Sequence, residues 1–166
     1  MAEFEIKGLR AYQKWLAALD RKEVRDTKDR ILRKSGLQLQ ANVERHTPVR
    51  HGLLRGSMSM GHPQSVFDIQ VGQRSYVFVG TAVEYAQYVN DGYQQKAGQF
   101  VPGYWSGKEF VYVPNYQDGG MVLTGKLIPG AHMFEKGMRD TEDDIPDIID
   151  FEFRRLYELL FRSGGG

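Results

Sequence analysis

The hydrophobic period of this chain changes twice, and that pattern limits its fold more than any single motif. Through residue 46, the pattern is helical: Leu9, Tyr12, Leu16 and Leu19 recur three and four apart, and a second stretch carries Val24, Ile31 and Val43 among many charges. That spacing gives a helix one apolar stripe. Further along the period drops to two. Phe67, Ile69 and Val71 alternate with Asp68 and Gln70, and Tyr76-Val77-Phe78-Val79 follows the polar turn Gly72-Gln73-Arg74-Ser75. This is the pattern of an antiparallel hairpin. From Phe134 the helical spacing returns, through Met138, Thr141, Ile145, Ile148, Ile149, Leu156, Leu159 and Leu160.

Breakers divide these segments. Gly36 weakens the first helical region without having to end it. Pro48 ends it, because the residue before a proline is pushed out of helical geometry. Residues 20–29 are too polar to be buried. Residues 47–62, with Gly52, Gly56 and Gly61, form a polar connector. A short helix is expected over residues 83–89, closed by Asn90-Asp91-Gly92. A second hairpin is expected to pair 110–113 with 121–123 around a loop at 115–120. The echo of Val101-Pro102-Gly103 in Ile128-Pro129-Gly130 reads as two similar turns. Pro146 is expected to restart the last helix as its first-turn residue, with Asp144 as N-cap.

Composition sets the class. The 166 residues, 41% hydrophobic and 26% charged, suit one domain with its own core. We take residues 1–162 as that domain, with 93–130 as a loop-and-hairpin insertion and 163–166 as a flexible glycine-rich tail. The absence of cysteine removes disulfides, thiol nucleophiles and cysteine zinc sites, and fits a chain folded in a reducing cytosol. No apolar run approaches the ~20 residues of a membrane span, and the start lacks the pattern of a signal peptide. The net charge of +1 hides a gradient. Residues 1–50 hold 12 Lys/Arg against 7 Asp/Glu, 51–130 balance, and 131–166 hold 5 against 9. Two solvated helical faces of opposite sign would give this. So would ends that attract each other, within a subunit or between neighbours.

A search for chemistry finds little. A hydroxyl nucleophile would need a histidine base. Ser57 and Ser59 stand near His51, but no Gly-x-Ser-x-Gly elbow is present, and a triad is defined by geometry rather than closeness in sequence. His46 and His51 are five apart, off one helical face, and no His-Glu-x-x-His occurs. Glu142-Asp143-Asp144 reads as the acidic first turn of a helix. There is no phosphate-binding glycine loop. No catalytic, cofactor-binding or metal-binding residue is therefore assigned, and no cofactor is expected. Arg50 and Arg55, in the connector, suit phosphate contacts or acids of a neighbouring chain. They equally suit a solvated loop anchored by Leu53 and Leu54. Tyr85, Tyr88 and Val89 share one helical face, with packing on the hairpin as the default. Seven of the 20 aromatics lie between Tyr93 and Tyr116, Tyr104 and Trp105 among them, and fit either a docking surface or the core of the second hairpin.

An ordered set of short motifs carries a resemblance. Thr47, Pro48, Arg50, Gly52, Leu54, Arg55 and Ser57 come first, then Gly80, Thr81, Tyr85, Ala86, Tyr88, Val89 and Gly92, and finally Pro129, Gly130, His132 and Met133. Over roughly residues 9–160 the chain resembles the head–tail joining, or tail-completion and neck, family of long-tailed bacteriophages. The resemblance implies an α+β fold, a curved antiparallel sheet with N- and C-terminal helices packed on it. It implies a structural virion protein, not an enzyme. Copies would form a ring at the junction of portal and tail, or at the tail's end, assembled in the host cytoplasm. Partners would be the portal-side connector and the tail-tube or terminator proteins. DNA would pass through the lumen without sequence-specific contact, and no membrane is implied. Under this reading Arg50, Arg55, Tyr85, Tyr88, Tyr104 and Trp105 are the contact residues. Two rivals stand beside it: a nucleic-acid-binding module using the basic N-terminal helix, and a small hydrolase using Ser57 or a histidine.

Overall fold

The computed structural model describes residues 22–50, 52–72 and 74–162. The stripe of Leu9, Tyr12, Leu16 and Leu19, His51 and the glycine-rich tail lie outside the described residues. In chain order the elements are α1 (Glu23–His46), α2 (Leu53–Gly56), β1 (Ser65–Gln70), β2 (Tyr76–Thr81) and α3 (Ala86–Asp91). Then come β3 (Gly92–Gln94), β4 (Phe100–Ser106), β5 (Glu109–Tyr112), β6 (Gly120–Val122), β7 (Leu127–Pro129) and α4 (Met133–Arg162). The fold is α+β. Its antiparallel strands are divided among three small sheets: β1 with β2, β3 with β7, and β5-β4-β6.

The most extensive packing in the molecule is α1 against α4. Two glycines permit it and its continuation onto the hairpin. A Cβ at Gly137 of α4 would fall 2.5 Å from Val43 Cγ2 and 2.8 Å from the Val43 backbone nitrogen. A Cβ at Gly36 of α1 would fall 2.5 Å from Val77 Cγ2 and 2.9 Å from the Phe67 ring. So Gly36, which reads as a weakness in the helix, is where the hairpin lies on it. Phe67, Ile69 and Val71 point one way as the alternation requires, and Phe67 pairs with Val79 and Ile69 with Val77. The buried apolar cluster sits at the α1–α4 crossing. Val43 and Met133 join Leu39, Leu54, Met58, Val83 and Ala86 there. Each such side chain contributes about 1.5–3 kcal/mol when fully buried.

Several local expectations change. The connector is exposed at 48–50 and anchored by Leu54 as expected, but Leu53 is exposed and Thr47, Ser57 and Met58 are buried beside Leu54. Thr27, within the polar stretch, is buried too, its Oγ1 donating to Glu23 O at 2.7 Å and accepting from Arg30 Nη2 at 2.9 Å. The short helix starts three residues later than expected, and Asn90 and Asp91 are part of it. Segments 110–113 and 121–123 do not pair with each other. Both flank β4, which bonds β5 through a tight turn at Gly107-Lys108 and β6 along its other edge. Gly107 has φ 63, the left-handed geometry such a turn needs. The two apolar-Pro-Gly segments lie on β4 and β7 rather than in turns.

Helix α4 runs unbroken through Pro146. Proline removes one helical hydrogen bond, but packing on α1 keeps both halves in line. Asp144 is not an N-cap; its Oδ2 accepts from Gln38 Nε2 at 2.8 Å and Asn42 Nδ2 at 3.4 Å on α1.

Polar contacts fix the register of the two helices along their length. Arg45 and His46 meet Asp140, and Asn42 Nδ2 donates to Thr141 Oγ1 at 3.0 Å. Farther along, Glu152, with no solvent exposure, receives Arg30 Nε at 2.6 Å and Lys34 Nζ at 2.6 Å. Lys34 also sits 4.1 Å from the Phe151 ring centroid. The charge gradient of the sequence is thus neutralised in part within the subunit. Burial alone would raise the Glu152 carboxyl, but hydrogen bonds and charge from Lys34 and Arg30 outweigh it and hold the group below the usual carboxylate range. Asp140 is also held low, chiefly by the His46 and Arg45 hydrogen bonds.

Two outcomes follow from this packing. Gly137→Ala gains about 1 kcal/mol of helix propensity but meets Val43 backbone that no rotamer change can move. The clash wins, and urea denaturation should show a net loss of about 1–3 kcal/mol. Because the folded state holds Glu152 and Asp140 low, their contribution is present above the ordinary carboxylate range near 4 and is lost as pH falls through the lower folded values. The urea midpoint should drop from about pH 7 to about pH 3, and the drop should shrink in Glu152→Gln.

Candidate functional site

The sequence motifs at 47–57, 80–92 and 129–133 are far apart along the chain and converge in space. Thr47 closes α1: its backbone is extended at φ −76°, ψ 123°, and its Oγ1 donates to Val43 O at 2.7 Å. The same hydroxyl lies 3.4 Å from Met133 Sδ, which ties the end of α1 to the start of α4. Pro48 then turns the chain outward. From the other side, Ala131 N–H donates to Val89 O at 2.8 Å and His132 N–H to Asn90 O at 2.9 Å. These bonds clip the end of α3 to the entry of α4.

Asn90 is the hub of that junction, and it is buried. Its Oδ1 accepts the Phe134 N–H at 3.1 Å, satisfying a free donor in the first turn of α4. Its Nδ2 donates to Asp91 Oδ1 at 2.7 Å and Glu135 Oε1 at 3.1 Å. In the sequence Asn90 looked like an ordinary helix stop. Its main partners lie 44 and 45 residues away, so no local signal marks them.

Next to this junction lies an open groove of about 600 Å³. Pro48 lines it from the connector, Tyr85 from the residue just before α3, Tyr88 from α3, Tyr93 from β3, and Ile128 and Pro129 from β7. Tyr88 and Tyr93 meet edge to face, centroids 6.1 Å apart. Tyr88 is 62% exposed, so its ring forms wall rather than core. A second depression of about 590 Å³ shares Pro48, Tyr85 and Val89 with the first and adds Arg50 and Leu53. The lining of the first carries no charge and no nucleophile beyond phenol hydroxyls. Aromatic rings with a few polar tips, next to one arginine, match the composition of protein interface cores.

The structure therefore brings Arg50, Tyr85 and Tyr88 together. It separates the other three candidates. Arg55 lies 3.9 Å from Glu44 Oε1 and is directed at its own α1. Tyr104 and Trp105 are exposed on β4 and, as consecutive strand residues, face opposite ways, Tyr104 beside Tyr116 at 5.9 Å and Trp105 against Phe110 at 5.4 Å. None of the seven insertion aromatics belongs to the buried cluster. Ser57 has no solvent exposure; its Oγ lies 2.7 Å from Leu54 O and 2.7 Å from Thr81 Oγ1. That hydroxyl is a cross-tie between connector and β2, out of reach of a substrate. Among the described residues, no group of His, Asp and Glu is placed to hold a metal. Among them, too, no helix is long and apolar enough to cross a membrane.

The family model described as "Bacteriophage HK97-gp10, putative tail-component" matches residues 10–92, half of the chain. The chain belongs to this phage tail-component family. The matched span covers α1, the connector, the hairpin and α3, and includes the groove residues Pro48, Tyr85, Tyr88 and Val89; the β3 and β7 walls lie beyond it. Two curated relatives come from Bacillus subtilis (strain 168). "Uncharacterized protein YqbI" is 26% identical over 135 residues, 78% of this chain and 73% of that protein. "Phage-like element PBSX protein XkdI" is 32% identical over 109 residues, 64% of this chain and 66% of that protein. No solved structure matches the chain at a significant level.

In this tail component Asn90→Ala should cost about 1–3 kcal/mol, because it strands the Phe134 donor and leaves a small void. Asn90→Asp keeps an acceptor for the Phe134 N–H but sets a buried carboxylate against Asp91 and Glu135, which the amide now bridges, so it should also destabilise at neutral pH. Thermal denaturation tests both variants; a wild-type melting temperature in either would show that the Asn90 side chain is not what holds the junction.

Proposed function

We propose that this tail component is a structural ring subunit of the virion, closing the tail's end or joining it to the head. Copies associate head to tail, so each uses two different patches. The tyrosine groove with Arg50 is one, and β4, with Tyr104 and Trp105 exposed on its two faces, is a second contact surface for coaxial neighbours. DNA passes through the ring without base readout. The observation that carries this reading is the convergence of three dispersed motifs on one uncharged aromatic groove. XkdI's name places that relative in a phage-like element, which supports a role in a phage or phage-derived particle. A nucleic-acid module using α1 is the weaker reading, because Arg30, Lys34 and Arg45 are committed to acids of α4.

Assembly in the absence of the protein tests the joining role. Full heads and finished tails should accumulate separately, and infectious particles that form without it would end the proposal. Tyr88→Asp sharpens the test. Tyr88 is exposed, so melting should be within a few degrees of wild type, while incorporation into particles, read by electron microscopy and immunoblot, should fall at least ~10-fold, equivalent to about 1.4 kcal/mol.

A further inference from the structure

Charge in the middle of the chain is sorted by segment. Residues 45–67 hold Arg45, Arg50 and Arg55 and no Asp or Glu, while residues 75–95 hold Glu84 and Asp91 and no Lys or Arg. Arg45 meets Asp140 and Arg55 leans on Glu44, which leaves Arg50 exposed and without an ion pair among the described residues. The fold puts Arg50 and the two acids on opposite sides of the 84–91 segment. Tyr85, Tyr88 and Val89 face the groove and the depression that holds Arg50 and Leu53. Glu84, Ala86, Gln87, Asn90 and Asp91 face a separate pocket of about 490 Å³, and it shares no residue with the other two hollows.

That pocket is apolar within and acidic at its rim. Val66 and Phe78 of the hairpin and Phe134 of α4 line it, and Phe78 is more than half exposed. Glu84 and Asp91 are both exposed, and neither has an ion pair among the described residues. Glu135, which shares the Asn90 amide with Asp91, adds a third carboxylate beside them. On the connector side, Val49 and Leu53 flank Arg50 in the chain and are 60% and 45% exposed. One surface is thus apolar with a free cation, the other apolar with free carboxylates.

We propose that the connector of one copy, with Val49, Arg50 and Leu53, docks in the acid-rimmed pocket behind α3 of the next copy. Arg50 is received by Glu84, Asp91 and Glu135, and the two aliphatic side chains cover Phe78 and Val66. The patches are different and lie on opposite sides of α3, which is what a head-to-tail contact uses. Opposite charge steers the approach and fixes the register. The proposal rests on the ring reading and names the surface of the adjacent subunit that meets the Arg50 side of the groove.

The chain contains no cysteine, so disulfide trapping reports the contact without background. Two full-length chains, Val49→Cys and Gln87→Cys, are mixed under oxidising conditions; Gln87 is exposed on the pocket wall. Linked heterodimer should exceed at least ~10-fold that formed between Val49→Cys and Val122→Cys, since Val122 is exposed on β6 and does not line the pocket. Trapping no better than this control, from chains that melt like the wild type, would overturn the docking. Val49→Cys linked mainly to itself would show a two-fold contact and overturn it as well. Adding Arg50→Glu to the first chain or Glu84→Arg to the second should each cut trapping about 3-fold, and both together should restore it. Losses that add instead of cancelling would refute the charge pairing. Should a reversed chain fail to fold, salt decides the point: about 0.5 M should lower trapping of the unreversed chains, and no change would refute the pairing. A failed trap beside heads and tails that stay unjoined without the protein would sink this contact and leave the ring reading standing. A successful trap beside infectious particles formed without the protein would do the reverse.

Discussion

Everything else in this protein hangs on the crossing of α1 and α4 at Val43. Gly137 lets the two backbones approach there, and Met133 and Val43 close over the contact with Leu39, Leu54 and Met58 around them. The connector leaves α1 at Thr47, whose hydroxyl reaches both Val43 O and Met133 Sδ. The entry to α4 is clipped to α3 through Asn90. Pro48 and the α3 tyrosines are thus two walls set by one crossing, and the groove lies between them. A change in helix spacing would be felt at the groove although no groove residue had been altered, because close-packed interiors transmit displacement.

The same helix pair shows how an assembly protein divides its tasks. Apolar burial at one end supplies stability. The polar ladder from Asp140 to Glu152 adds little net stability, since ion pairing must first offset desolvation. It makes other registers costly, because a slip of one turn would bury Glu152 away from Arg30 and Lys34.

The two aromatic regions differ for a physical reason. The β5-β4-β6 sheet makes its main contacts among its own strands, so its rings pair with one another, Trp105 with Phe110 edge to face and Tyr104 with Tyr116 tilted, and Tyr104 and Trp105 stay open to solvent. The tyrosines around α3 line a concavity, because α3 is pinned at both ends by the β2 loop and by the α4 entry. Large exposed aromatic patches rimmed by polar groups mark interaction sites more often than chance. Of the two, the concave one brings residues of three separate motifs together.

Much of the fold was legible in the chain. The period of two over Phe67–Val71 and Tyr76–Val79 gave the hairpin with its turn, since alternation is a property of neighbours. Pro48 marked the end of α1 because its effect is local and steric. Spacing put Tyr85 and Tyr88 on one helical face, but the helix begins at Ala86, so Tyr85 is its N-cap and only Tyr88 lies on it. What the sequence could not reveal were relations whose partners are distant. It showed Gly36 only as a poor helix former, and packing on Phe67 and Val77 explains it. It showed Pro146 and Asp144 as a helix start, and α1 converts them into the interior of a continuous helix. It offered Phe110–Val113 and Met121–Leu123 as partners, yet β4 claims both, because a strand has two edges and hydrophobic pattern does not say which neighbour takes each. Local sterics and periodicity thus determined the elements. Which faces meet, and hence that an uncharged tyrosine groove exists at all, was decided by tertiary packing, where burial and hydrogen bonding between residues tens of positions apart outweigh local preference.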